Sequence, residues 1–118
     1  MISVCMATYN GEEWVAQQLR SVLSDIGAAD EIVVVDDASD DATVARIEEL
    51  NDPRISIWRN STNMGHVASF ERALSLSSRE FILLADQDDI WVTGRALSMV
   101  AALKTHEVVA SNYALLDE

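Results

Sequence analysis

The chain has 118 residues, enough for one domain with a buried core. Its 8 Lys and Arg against 20 Asp and Glu leave a formal charge of −12, which excludes a nucleic-acid surface, because phosphate contacts need a basic face. An anionic substrate on such a chain needs a bound cation or backbone amides to receive it.

Cys5, the single cysteine, lies in an apolar run and cannot form an internal disulfide; it reads as a small core residue. There is no charged-then-apolar leader and no run of about 18 apolar residues, so the expected location is the cytoplasm.

Taken in order, Ile2 to Ala7 is a short, mostly apolar strand, and Thr8-Tyr9-Asn10-Gly11 is a turn. From Glu12, apolar residues at Val15, Leu19, Val22, Leu23 and Ile26 follow helical spacing, with Arg20 and the glutamines on the opposite face and Gly27 as the stop. Glu31 to Val35 is a β-branched run of the kind buried on both faces of a parallel sheet, and it ends on Asp36-Asp37. Ala38 to Asp41 supplies capping residues for a second helix carrying Val44, Ile47 and Leu50, closed by Asn51-Asp52-Pro53. Arg54 to Trp58 alternates as a strand. After a polar loop from Asn60 to Gly65, Val67, Phe70, Ala73, Leu74 and Ser77 predict a third amphipathic helix. Phe81 to Ala85 is the next strand; Thr93 to Lys104 predicts a fourth helix, and Val108 to Ala110 begins a fifth strand.

Strands alternating with helices predict an α/β layered, mostly parallel sheet with right-handed crossovers. Ligands of such sheets bind outside the carboxyl ends of the strands. The polar groups fall there: Thr8-Tyr9-Asn10 after the first strand, Asp36-Asp37 after the second, and Asp86-Gln87-Asp88-Asp89 after the strand at 81–85, converging on one rim. An Asp-x-Asp at a strand end is a partial oxygen shell for a hard divalent cation such as Mg²⁺ or Mn²⁺. One of Asp36 and Asp37 is placed to accept a hydrogen bond from a base N–H or a ribose hydroxyl, and Thr8 and Tyr9 to touch the same base; the alternative for the acid pair is helix capping and solvation. His66 and His106 read as surface or helix-end residues rather than ligands.

Four stretches in order, Val4-x-x-x-Thr8-Tyr9-Asn10-Gly11-Glu12, Ile32 to Ser39 with Asp41 and Thr43, Asn63-x-Gly65, and Ala85-Asp86-Gln87-Asp88-Asp89-Ile90-Trp91, resemble the family 2 glycosyltransferases of the GT-A fold. The Asp-Gln-Asp-Asp-Ile-Trp form is most similar to bacterial rhamnosyltransferase-type members that build surface polysaccharides. The resemblance spans residues 1–118 as a nucleotide-diphospho-sugar-binding part. It implies a nucleotide-diphosphate sugar as donor and a saccharide or lipid-linked acceptor, in the cytoplasm or at the cytoplasmic face of the membrane. By position, Thr8, Tyr9, Glu12 and Asp37, with Asn10 and Asp36 beside them, line the nucleoside pocket; Asp86 lies near the ribose and shares with Asp88 the metal that bridges the diphosphate. Asp89 is a supporting acid, and Trp91 is packing.

The sequence departs from the family's pattern in three places. Phe70 and Glu71 stand where many members have an Arg-Asn pair, and Arg72 in the same helix lies about 200° round from Phe70, so the arginine's role is not transferred to it. Thr93 replaces a usual proline. The family's catalytic base and acceptor region lie beyond Glu118, so the resemblance covers the donor half. Two other readings stay open: a binding module for nucleotide sugars that lacks chemistry or completes its site as a homo-oligomer, and a Mg²⁺-dependent phosphotransfer domain. The latter needs a nucleophilic Asp or a positioned Lys, and Lys104, the only lysine, sits at a predicted helix end.

Overall fold

A computed structural model describes residues 1–86, as β1 (Ile2–Thr8), α1 (Val15–Leu23), β2 (Glu31–Asp36), α2 (Thr43–Glu49), β3 (Ile55–Arg59), α3 (His66–Leu76) and β4 (Phe81–Asp86). The strands form a parallel four-stranded sheet in the order β3-β2-β1-β4. The reversal of order between β2 and β4 puts a switch point beside β1, where a crevice opens at the carboxyl ends. The predicted helix at 93–104 and strand at 108–110 lie outside the described residues.

Both faces of the central strands are buried, as their unbroken apolar runs require. On one face Val4, Met6, Ile32, Val34 and Leu83 meet Val15, Leu19 and Val22 of α1 and Ile47 of α2. On the other, Cys5, Val33 and Val35 pack with Ala73, against Leu76, Ile82 and Leu84. Each buried aliphatic side chain contributes roughly 1.5–3 kcal/mol. Cys5 is fully buried in this layer, and burial pushes its thiol up to about 11, so it is a core residue as expected.

Four expectations are corrected. The first helix starts at Val15 and ends at Leu23, because a turn closed by Trp14 and Val15 N–H bonds to Gly11 O occupies residues 12–14. Gln18 is not on the solvent face with Gln17 but fully buried. The seam of α3 is not the large apolar set: Val67 is 71% exposed and Leu74 40%, whereas Ser69 and Ala73 are buried, because small residues bring the helix close to β1 and β2. The side-chain cap expected for α2 is absent at Ala42; Asp41 Oδ1 instead accepts from Thr43 N–H at 2.9 Å.

Candidate functional site

Each strand delivers a polar residue at its carboxyl end, and the loops that follow are tied together. The register sets Thr8 against Asp36, and Thr8 Oγ1 donates to Asp36 Oδ1 at 2.8 Å. Asp36 is fully buried. It also accepts from Ser39 Oγ at 2.7 Å and Ser39 N–H at 2.9 Å, with Arg59 Nε 3.7 Å from Oδ2. A buried carboxylate is tolerated only when hydrogen bonds and a countercharge satisfy it. Asp36 is therefore a strut between loops.

The β1–α1 loop is laced to the β2–α2 loop along its length. Asp37 N–H donates to Thr8 O (2.8 Å), Asn10 N–H to Ser39 Oγ (2.9 Å), Asp40 N–H to Asn10 Oδ1 (3.0 Å) and Gly11 N–H to Thr43 Oγ1 (2.8 Å). Glu12 N–H reaches Asp41 Oδ2 at 3.3 Å. Burial pushes the Asp41 carboxyl up, but bonds from the Thr43 hydroxyl and from the Thr43 and Glu12 N–H groups outweigh it and hold it below its usual range. The result is a fixed ledge on which Tyr9, Asn10 and Glu12 stand exposed.

Asp37 ties the third loop to this ledge. Its Oδ1 accepts from Met64 N–H at 2.7 Å and Asn60 Nδ2 at 2.9 Å, and its Oδ2 from Gly65 N–H at 2.9 Å. Gly65, at φ 96°, holds a backbone conformation that favours glycine and turns its N–H onto the acid. Burial raises the carboxyl, but these bonds, with Ser69 hydroxyl, hold it below its usual value, so Asp37 is ionised at neutral pH with 4% of its surface open.

Asn60 was not singled out by the sequence, although its place just after β3 matches that of Asp36-Asp37 at the end of β2. Its N–H donates to Asp36 O at 2.8 Å and its side chain bonds Asp37, Ser69 Oγ (3.0 Å) and Arg72 Nη1 (2.7 Å). Arg72 thus reaches the end of β3 through Asn60. Ser69 and Arg59 were likewise missed, since a lone hydroxyl and an edge-strand arginine give no pattern in one sequence, whereas Ser39 and Thr43 stood in the second motif without a role of their own.

The rim accordingly brings together Thr8, Tyr9, Asn10, Glu12, Asp36 and Asp37, as expected. Backbone pairing of β4 with β1 sets Asp86 opposite Ala7, next to Thr8. Gln87, Asp88, Asp89 and Trp91 lie outside the described residues. Among the described residues no group of three or more His, Cys, Asp or Glu is placed to hold a metal. His66 is at the start of α3 with its ring edge-on to Phe70 at 4.7 Å.

The Glycosyl transferase family 2 model matches residues 3–115. This chain belongs to that family. Its relatives include the Escherichia coli UDP-Glc:alpha-D-GlcNAc-diphosphoundecaprenol beta-1,3-glucosyltransferase WfgD, 29% identical over 99% of this chain and 47% of the relative. The dTDP-rhamnosyl transferase RfbG of Shigella flexneri is 34% identical over 83% of the chain and 36% of the relative. Among solved structures, S. aureus TarS 1–349 in complex with UDP-GlcNAc superposes with a TM-score of 0.77 at 31% identity, over 90% of this chain and 32% of that one. The sheet and its helices are the GT-A glycosyltransferase fold. The chain spans less than half the length of these relatives. Among the described residues no helix is long and apolar enough to cross a membrane.

Proposed function

We propose that residues 1–118 form the nucleotide-diphosphate-sugar-binding part of an inverting glycosyltransferase of surface-polysaccharide synthesis. The observation behind this reading is the interlaced rim at the switch point, where the loops after β1, β2 and β3 hold an ionised, nearly closed-in Asp37 bonded to the loop that bears exposed Tyr9, Asn10 and Glu12. The donors named for WfgD, RfbG and TarS carry uracil or thymine, and both rings present an imide N–H. Asp37 accepts that N–H, Tyr9 offers its ring face to the base, and Thr8, Asn10, Glu12 and Asp36 shape and fix the pocket.

Asp86 and Asp88 are the residues that would hold Mg²⁺ or Mn²⁺, and their hard carboxylate oxygens suit such a cation. Bound there, it supplies charge neutralisation of the diphosphate and Lewis-acid assistance to the leaving group. The acceptor is a saccharide or a lipid-linked saccharide, a reading supported by the diphosphoundecaprenol-linked sugar named for WfgD, and the reaction belongs at the cytoplasmic face of a membrane.

Calorimetric titration of this chain with UDP, dTDP and GDP, with and without Mn²⁺, tests the reading. The expected result is a preference for the pyrimidine nucleotides and tighter binding with Mn²⁺. Absence of any nucleoside diphosphate binding overturns the donor assignment, and binding indifferent both to Mn²⁺ and to Asp88→Ala overturns the metal assignment.

A further inference from the structure

We infer that Arg72 and Asn60 are positioning residues of the donor site, setting Asp37 to read the imide N–H of the base. The inference rests on the role proposed for Asp37 and extends it to side chains one and two steps behind the pocket.

The argument is one of donors and acceptors. Asn60 is 3% exposed, and each end of its amide has committed partners: Oδ1 takes Arg72 Nη1 at 2.7 Å, while Nδ2 gives one bond to Asp37 Oδ1 at 2.9 Å and one to Ser69 Oγ at 3.0 Å. An amide can turn end for end at little intrinsic cost, and only its partners decide which way it points. A guanidinium has donors and no acceptor, so Arg72 can face only the carbonyl end of Asn60. That choice forces the NH₂ end onto Asp37. Turned over, Asn60 would set its oxygen against an ionised carboxylate and leave both acceptors without a proton between them.

The orientation matters because of how Asp37 spends its lone pairs. Asn60 and Met64 N–H both bind Oδ1, and Gly65 N–H binds Oδ2. A carboxylate offers about four acceptor positions, so one on Oδ2 is left for a ligand, with the Ser69 hydroxyl also bonding this carboxyl. A hydroxyl can rotate away, and Ser69 Oγ already accepts from Asn60. Arg72 thus keeps Asn60 on Oδ1 and Oδ2 available to the base. Its helix supports this: α3 packs its small face on β1 and β2, which fixes the distance between Arg72 and the end of β3.

The test measures discrimination between UDP and N3-methyl-UDP, which lacks the imide proton, by titration of this chain in Mn²⁺. The wild type should prefer UDP by roughly tenfold or more, the size of one hydrogen bond to a charged group. Arg72→Ala, which leaves a good helix former in α3, should bring the ratio close to one. Arg72→Lys, which like arginine has donors and no acceptor, can donate to Asn60 Oδ1 and should restore most of it. A purely structural role would weaken both ligands alike and leave the ratio unchanged. An Arg72→Ala or Arg72→Met protein that keeps the wild-type ratio overturns the inference, as does failure of Arg72→Lys to restore it. A wild type that binds UDP and N3-methyl-UDP equally overturns the base-reading role of Asp37 itself, and the two failures are thereby told apart.

Discussion

The two ends of the sheet use the same residue types in different ways. At the amino-terminal rim Glu31 accepts from Ser3 Oγ (2.5 Å) and Ser78 N–H (2.8 Å) and lies 3.9 Å from Arg79. Asp52 holds Arg54 at 2.9 Å, and Arg54 goes on to Leu23 O (3.1 Å) and Ile26 O (3.2 Å), tying α1 to β3. Acid meets arginine there, and the charge is spent on the fold. At the carboxyl rim Asp36 and Asp37 are satisfied mainly by N–H groups and hydroxyls, with Arg59 at 3.7 Å from one and Arg72 separated from the other by Asn60. Carboxylates held by neutral donors keep their charge while losing their freedom, which is what a site for a polar ligand requires.

Acid should produce the largest effect. Asp37, Asp41, Asp52 and Glu31 all titrate below their ordinary values in the folded protein. The folded state therefore binds fewer protons than the unfolded chain as pH falls below about 5. The stability these groups contribute is complete above that pH and is lost as pH drops through their depressed folded values. Urea unfolding from pH 7 to pH 2 measures it. Added salt should not lower stability at pH 7, because the carboxyl rim's bonds to N–H groups are little screened and screening the self-repulsion of the −12 net charge offsets the weakening of the Arg79–Glu31 and Arg54–Asp52 pairs. A steep salt dependence at pH 7 would instead make ion pairing the main term at both ends.

Next in size is a matched pair of substitutions. Asp37→Asn sets an NH₂ against the N–H of either Met64 or Gly65, which bond different oxygens of the acid, and should cost about 3 kcal/mol together with nucleotide binding. Glu31→Gln, at the other rim, keeps an acceptor for Ser3 and Ser78 and should cost about 1 kcal/mol or less with binding unchanged. Equal losses of binding would erase the distinction between the rims.

Much of this was legible in the sequence. The apolar runs of β1, β2 and β4 and the polar residues after them follow from local chemistry, and four spaced motifs sufficed for the family. What was not legible depends on packing. Nothing local marks Ser69 and Ala73 as the buried seam of α3, because small residues gain their role only from the closeness they permit. Asn60 and Arg72 needed the third dimension to meet Asp37. Gln18 looks solvent-facing by type yet is fully buried, and among the described residues neither end of its amide has a hydrogen-bond partner. Gln18→Leu should therefore raise stability by about 1–2 kcal/mol while leaving nucleotide binding as it was, since α1 contributes to the core and not to the rim. A loss of stability would mean that a buried water satisfies the amide.

The smallest effect concerns backbone strain. Ala38 sits at φ 62°, between Asp37 and Ser39, both buried and hydrogen-bonded. An L-residue there costs roughly 1 kcal/mol, which glycine avoids, while glycine's extra freedom in the unfolded chain takes back part of the gain. Ala38→Gly should raise stability by about 0.5 kcal/mol. Asn51, past the far end of α2, has a similar φ of 49°, but asparagine tolerates that region, so Asn51→Gly should gain nothing measurable. The contrast isolates the carboxyl rim as the place where an ordinary side chain is held in an unfavourable backbone state. Asp36 enforces it by accepting from Ser39 N–H at 2.9 Å, and Arg59 by donating to Ser39 O at 2.5 Å. Because those bonds survive the change, nucleotide affinity should stay within about twofold. A larger loss would mean that the Cβ of Ala38, rather than the bonds around it, holds the ledge beneath the base.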